Sequence, residues 1–249
     1  MTEIAIAFDV PTLEAAIALD ERLGEGPELA KVGLQLYTAA GPDAVRALRA
    51  RGRRVFLDLK LHDIPNTVRG AAAAAGALDV ELLTVHATGG GAMLRAAVEG
   101  AAQGGTKVVA VTVLTSLDAY SMPPGFEHPF HVSFVQLRLL ELAERSGAAG
   151  IVCAAVDLGP LRGARRGRPF FSVTPGIRPA GMAAQDQARI ATIGEAAALG
   201  ADVVVLGRAI TADPEPRAAL ERARAEAHGA SRALQGQGAQ TLDLTPREA

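Results

Sequence analysis

One short segment, LDLKLHDIPNT (57–67), concentrates side chains that could do acid–base chemistry. Asp58 and Lys60 are two positions apart in a strand-like run, so their side chains would share one face of the strand. A lysine beside carboxylates holds a fixed position as an ammonium ion, which makes it a candidate proton donor to a carbanion. His62 and Asp63 follow directly. The alternative is an ion network that only stabilises the fold, although so many ionisable residues are costly to bury for packing alone.

Two further segments, VTPGIRP (173–179) and VLGRAI (205–210), have the composition of an anion site. Gly176 and Gly207 let the backbone come close to a ligand, so that its N–H groups can bind phosphate oxygens. Arg178 or Arg208 can add a charge-assisted, bidentate bond. The alternative is that the glycines only form turns and the arginines are solvated; we favour phosphate binding.

Other common chemistries lack their sequence patterns. The five histidines show no HxxxH or HxH spacing on one element, so no metal is expected. The chain has no GxGxxG or GxxxxGK[ST] motif, and the Gly-rich stretch ATGGGAM (87–93) lacks the acidic ribose partner of a dinucleotide site. We therefore expect no nicotinamide cofactor. Cys153, the only cysteine, lies in an apolar run and is expected to pack in the core.

Composition narrows the possible partners. The net charge of the 249 residues is −2, aromatic residues make up 4%, and tryptophan is absent, so neither nucleic acid nor an anionic membrane is an expected partner. The N-terminal MTEIAIAFDVPT has no basic n-region, and no apolar run reaches the about 18 residues that a membrane span needs. A soluble cytoplasmic protein is the expectation.

The elements that must position these residues alternate regularly between short β-branched apolar runs and longer Ala- and Leu-rich segments. Eight such units in a row predict a closed (β/α)8 barrel in a single domain, with an open doubly wound sheet as the competitor. The predicted strands are 4–9, 29–34, 54–61, 81–88, 107–114, 150–155, 170–176 and 202–210. The predicted helices are 11–23, 42–51, 65–75, 90–102, 133–146, 157–165, 185–198 and 214–227.

Polar residues gather at the carboxyl ends of these strands, where the catalytic groups of such barrels lie. Asp9 closes the first strand, Lys31 lies in the second, and His86 ends the fourth. Thr115 and Ser116 follow the fifth. Because the strand ends converge on one rim, these residues are expected to meet Asp58 and Lys60 there.

The motifs together resemble those of the orotidine 5′-monophosphate decarboxylase family. The resemblance rests on FLDLKLHDIPNTV (56–68) and TPGIRP (174–179), in the order and spacing expected of that family, and covers most of the chain. The further matching stretches are IAFD (6–9), KVGLQLY (31–37), TVHATGGGAM (84–93), VTVLTS (111–116) and VVLGRAI (204–210). The resemblance implies decarboxylation of orotidine 5′-monophosphate to UMP, the last step of de novo pyrimidine synthesis, without metal or organic cofactor.

It also implies roles for the charged residues. Asp9 and Lys31 would hold the ribose hydroxyls, and Lys31 would join the charged network. Asp58 would lie near the substrate carboxylate, and Lys60 would protonate C6 as carbon dioxide leaves. Asp63, together with Thr67, would reach into the active site of a second subunit, since members of the family share sites across a homodimer.

The remaining implied contacts concern the base and the phosphate. Thr115, or its neighbour Ser116, would contact the pyrimidine. Four residues would bind the phosphate, one of them from a loop that closes over it: Arg178, Gln187, Gly207 and Arg208. The nearest alternative is a magnesium-dependent sugar-phosphate decarboxylase or aldolase on the same barrel scaffold. A non-enzymatic alternative is a barrel that binds a phosphorylated ligand without converting it.

Two stretches depart from the regular pattern. The loop 117–132, with SMPPGFEHPFH, is longer than ordinary connections and differs from the loop that the resemblance implies after LTS. The end of the chain is rich in Gly, Gln and Ala. We therefore expect a decarboxylase domain over 1–228 and a flexible tail over 229–249.

Overall fold

Eight parallel strands close into a barrel in chain order, and the last strand pairs with the first. The computed structural model describes residues 2–26, 28–117, 132–178 and 191–238, with side chains described as far as residue 229. The strands are β1 (Glu3–Ala7), β2 (Leu29–Gly33), β3 (Arg54–Leu61), β4 (Leu82–His86), β5 (Lys107–Val111), β6 (Gly150–Val152), β7 (Phe171–Thr174) and β8 (Val203–Leu206). All eight lie within the predicted strands or within one residue of them, and the predicted (β/α)8 fold is confirmed.

Helices connect the strands on the outside of the barrel. They are α1 (Leu13–Leu23), α2 (Leu34–Ala40), α3 (Pro42–Ala50), α4 (Pro65–Gly76), α5 (Gly90–Ala101), α6 (Val132–Arg145), α7 (Ala155–Ala164), α8 (Ile193–Ala198), α9 (Arg208–Thr211) and α10 (Pro216–Gly238). Two short 3₁₀ turns, Ala87–Gly89 and Ala102–Gly104, flank α5. Within the described ranges, no helix is both long and apolar enough to cross a membrane.

The strands separate two apolar layers. Side chains such as Phe56, Leu82 and Val109 fill the barrel interior, whereas Leu57 and its neighbours pack outward against the helices. This alternation follows from the two-residue period of a strand, which sends successive side chains to opposite faces. Cys153 is fully buried in the outer layer, as predicted.

Two helices were not predicted. α2 follows β2 without a loop, starts after Gly33 and stops at Gly41, whose φ of 58° suits glycine. Leu36 is its only buried residue, and its seven residues are fewer than the window over which a helical period can be recognised in a sequence. The eighth strand was predicted to reach residue 210, but it ends at Leu206, and the single turn of α9 begins at Arg208.

Two helix boundaries differ from the prediction by more than two residues. The predicted helix 185–198 falls partly on residues 185–190, which lie outside the described ranges. Its described part, α8, begins at Ile193 because Thr192 caps it: the Thr192 hydroxyl accepts the Glu195 N–H at 3.1 Å, and the Glu195 carboxylate accepts the Thr192 N–H at 2.7 Å. α10 continues to Gly238, beyond the predicted end at 227, because Ala, Arg, Leu and Gln favour a helix. The flexible tail stays a prediction, and residues 239–249 lie outside the described ranges, as do 118–131 of the long loop.

Candidate active site

A break in the regular pairing of β3 shapes the centre of the site. Leu57 pairs with Leu83 and Leu61 with Val85, so three residues of β3 lie opposite the single residue Thr84 of β4. Such a bulge bends a strand and re-aims its side chains, and bulges are common beside active sites. Lys60 lies in this bulge with a φ of 50°, the left-handed region that non-glycine residues rarely occupy.

Four side chains of alternating charge form a continuous chain across the barrel mouth. Lys31 Nζ lies 2.9 Å from Asp9 Oδ1 and 3.7 Å from Asp58 Oδ2. Lys60 Nζ lies 2.8 Å from both carboxylate oxygens of Asp58. The Asp58 and Lys31 side chains are only 12% and 9% exposed, so water screens their attraction weakly. The predicted meeting of Asp58 with Lys60 and Lys31 is confirmed.

Thr84 forms hydrogen bonds with both Asp58 and Lys60. The sequence analysis did not identify this residue. Its hydroxyl accepts the backbone N–H of Lys60 at 2.8 Å and donates to Asp58 Oδ1 at 2.9 Å. The residue is fully buried in the middle of β4. A threonine between leucine and valine in ELLTVHAT was the available signal, but β-branched residues are common in strands and the bulge that it fills has no sequence signature.

The surroundings of Asp58 favour its ionised form. Burial alone would raise the pKa of this carboxyl, but the positive charges of Lys60 and Lys31 act in the opposite direction. Hydrogen bonds from Lys60 and then Thr84 add to those charges, and the pKa lies below its ordinary value. Asp58 is therefore a carboxylate at neutral pH.

A histidine pair borders the same rim. The rings of His62 and His86 lie 5.4 Å apart between centroids. Burial lowers the pKa of His86, and electrostatic interactions with the neighbouring His62 and Lys60 lower it further, by more than Asp58 raises it. His86 is therefore neutral at neutral pH and adds no positive charge next to Lys60.

The charged chain forms one wall of a cavity of about 540 Å³ at the carboxyl ends of the strands. This volume suits a ligand of nucleotide size. Nine residues that the sequence analysis singled out line it: Asp9, Lys31, Asp58, Lys60, Thr115, Gly176, Arg178, Gly207 and Arg208. The other lining residues were not singled out for this site, among them Gln35, Phe56, Pro175, Ile177 and Thr211. Four of the lining side chains are cationic and two are carboxylates, so the cavity favours an anionic ligand.

Backbone contacts of Ile177 and Arg178 with Ala191 hold Arg178 at this cavity. Its backbone N–H donates to the Ala191 carbonyl at 2.9 Å, and Ile177 pairs with Ala191 as an isolated bridge. The Arg178 side chain is buried, and its Nε has no hydrogen-bond partner among the described residues. A buried guanidinium N–H without a partner is costly, and an anion in the cavity would supply one. Gln187, the fourth predicted phosphate ligand, lies outside the described residues.

Two predicted site residues are absent from this cavity. Asp63 and Thr67 lie on the exposed segment 62–67, which includes the first residues of α4, and neither lines the cavity of its own chain. The Asp63 carboxylate accepts the N–H of Ile64 at 2.6 Å. Within a single chain, Asp63 is therefore no member of the charged network.

Comparison with known proteins places the chain in a family. Residues 2–223 match the model of the orotidine 5′-phosphate decarboxylase / HUMPS family. The chain belongs to this family. The orotidine 5′-phosphate decarboxylase of Anaeromyxobacter sp. (strain K) is 51% identical over 91% of this chain and 97% of its own length. That of Cutibacterium acnes is 42% identical over 90% of this chain and 95% of its own length.

A solved structure of a family member is similar in fold. The crystal structure of orotidine 5′-phosphate decarboxylase from Lactobacillus acidophilus superposes with a TM-score of 0.79 at 34% sequence identity. The superposition covers 91% of this chain and 99% of that one. The likeness therefore extends over most of this chain.

Proposed function

We propose that this protein decarboxylates orotidine 5′-phosphate to UMP, the last step of de novo pyrimidine synthesis. The observation that carries the proposal is the hydrogen bonding of the Lys60 ammonium to both carboxylate oxygens of Asp58. This pair lies in a cavity that two arginines also line. The family relatives described above carry the name of this activity. No observation favours the magnesium-dependent sugar-phosphate alternative.

The chemistry follows from the fixed charges. When the bond between C6 and the carboxylate carbon breaks, carbon dioxide leaves and the electron pair stays on C6. The Lys60 ammonium stabilises that developing charge and then gives C6 a proton. Asp58 holds Lys60 in place before substrate arrives, so little reorganisation is needed during the reaction. In this scheme neither a metal nor an organic cofactor takes part, which stays a prediction.

The rest of the substrate would be held by the predicted ligands around the cavity. The Asp9 carboxylate and the Lys31 ammonium are suited to ribose hydroxyls, and Thr115 to the pyrimidine. The phosphate fits the side of Arg178 and Arg208, with Gln187 proposed as a further ligand. Binding energy from this remote phosphate can position the base against Lys60 and so lower the barrier at C6.

We further propose a homodimer with shared active sites. The exposed segment 62–67 carries Asp63 and Thr67, and its Ile64 side chain is 66% exposed. A large apolar side chain next to two polar residues suits an interface in which this segment reaches a partner's cavity. A cytoplasmic location and the absence of a nucleic-acid partner stay predictions.

A direct assay tests the proposed reaction. EDTA-treated protein is mixed with orotidine 5′-phosphate, and the loss of its near-ultraviolet absorbance is followed beside Lys60→Ala and Lys60→Arg. We expect rapid loss with the wild type and a fall in kcat of about 10²–10⁴-fold in both variants, because arginine keeps the charge but is not a proton donor at neutral pH. Lys107→Ala, an exposed lysine at the other end of the barrel, is the control and should remain active. An inactive wild type would contradict the proposal and direct the search to sugar phosphates with magnesium.

A further inference from the structure

The bulge in β3 leaves a backbone group that the sheet cannot satisfy. Three residues of β3 lie opposite Thr84, so the N–H of Lys60 has lost its ladder partner. A buried N–H without an acceptor costs free energy comparable to a lost hydrogen bond. The hydroxyl of Thr84 replaces the missing carbonyl at 2.8 Å. Thr84 therefore supplies the hydrogen-bond acceptor for the backbone N–H of Lys60, whose φ of 50° is left-handed.

The hydroxyl of Thr84 makes a second hydrogen bond, to the carboxylate of Asp58. Because its oxygen accepts from the Lys60 backbone, its proton is directed to Asp58 Oδ1 at 2.9 Å. Asp58 Oδ1 also accepts from Lys60 Nζ at 2.8 Å. One buried side chain thus fixes both the backbone that carries the ammonium and the carboxylate that orients it.

Thr84 itself is out of reach of a substrate. It is fully buried, and it is not among the residues that line the cavity. Any effect that it has on the reaction must therefore pass through Asp58 and Lys60.

We propose that Thr84 is a positioning residue of the decarboxylase, which sets the place of the Lys60 ammonium without contributing to substrate binding. The inference rests on the proposed function. Displacements well below 1 Å matter at this point, because a proton donor must lie within hydrogen-bond reach of the reacting carbon.

The test separates turnover from binding. Thr84→Val keeps the shape of the side chain and removes the hydroxyl. We expect kcat to fall by about tenfold to a hundredfold, the usual range for a lost hydrogen bond to a charged group, while the affinity for UMP, measured by calorimetry, changes less than about twofold. Thr84→Ser keeps the hydroxyl and should restore most of kcat.

A control distinguishes positioning from general stability. The Thr106 hydroxyl also makes one buried bond, to the Val80 carbonyl at 2.6 Å, at the opposite end of the barrel. Thr106→Val should lower the melting temperature and leave kcat unchanged. If Thr84→Val behaves like Thr106→Val, the role of Thr84 is only structural and the inference is wrong. A loss of UMP affinity at unchanged kcat would contradict it equally.

The pH dependence of kcat provides an independent test. Removing a hydrogen bond to the ionised form raises the pKa of a carboxyl, so in Thr84→Val the acid limb of kcat should move to higher pH. If Thr84→Val does not fold, Thr84→Cys decides, because its thiol occupies similar space but is a weak donor and acceptor. Wild-type kcat in Thr84→Cys would overturn the inference. An inactive wild type would instead contradict the proposed function.

Discussion

Lysine is rare in this chain, and two of its three copies are in the site. Of 25 basic residues only Lys31, Lys60 and Lys107 are lysines, and the others are arginines. Arginine remains protonated in proteins and cannot deliver a proton, whereas a lysine ammonium can. The chain thus uses lysine at position 60, where the proposed reaction needs a proton donor, and arginine at most positions where a cation is enough.

The Asp9–Lys31 pair depends on the absence of a side chain at Gly33. A Cβ there would lie 2.7 Å from Asp9 Oδ1 and 2.8 Å from Lys31 Nζ. Since the φ of −95° at Gly33 is open to alanine, Gly33→Ala should disturb the ion pair and leave the backbone unstrained.

We expect Gly33→Ala to lower kcat/KM by about tenfold with little change in melting temperature, because only the flexible ends of two side chains must move. Gly163→Ala, where a Cβ would meet nothing within 4 Å, is the matched control and should retain full activity. Equal activities of the two variants would show that the Asp9–Lys31 geometry is unimportant.

Residue types predicted the charged residues of the site better than the buried residue that supports them. Asp58, Lys60 and Arg178 were identifiable because ionisable groups in an apolar strand or beside a glycine turn are unusual. Thr84 was not, because its partners are set by a strand pairing that only the folded chain shows.

At the scale of elements, continuous apolar runs were enough to place all eight strands, since a parallel sheet is buried on both faces. The bulge in β3 was not predictable. Leu57, Leu59 and Leu61 alternate as in a regular strand, and all three do pack outward. The irregularity comes instead from the register with β4.

The cap of α8 connects helix stability to the cavity. Thr192 adjoins Ala191, whose carbonyl accepts the Arg178 N–H at 2.9 Å. Fraying of α8 would therefore loosen the loop that carries Arg178.

Thr192→Ala should lower the free energy of unfolding by about 1 kcal/mol, visible as a lower urea midpoint at unchanged slope. It should also raise KM. Thr12→Ala removes a comparable cap, since Thr12 accepts the Ala15 N–H at 3.2 Å on α1, away from Arg178. It should cost similar stability without a change in KM. If both variants raise KM alike, the cap of α8 has no special connection to Arg178.

At the scale of the whole molecule, one chain supplies an incomplete set of the predicted catalytic residues. Asp9, Lys31, Asp58 and Lys60 meet in its cavity, while Asp63 stays on the exposed segment 62–67. A two-fold dimer would complete both sites at once, because the same segment of each protomer would reach the other's cavity.

Complementation between two inactive variants tests that arrangement. Lys60→Ala and Asp63→Ala are each expected to lose activity. In a mixed dimer, one site combines the intact Lys60 of one protomer with the intact Asp63 of the other. After random reassortment about a quarter of all sites should therefore be active. Mixing Lys60→Ala with Asp58→Ala is the control, since both residues act within one chain and no mixed site is intact. Recovery of activity only in the first mixture supports shared sites. If neither mixture recovers activity although light scattering shows dimers, Asp63 does not act in the active site of the partner.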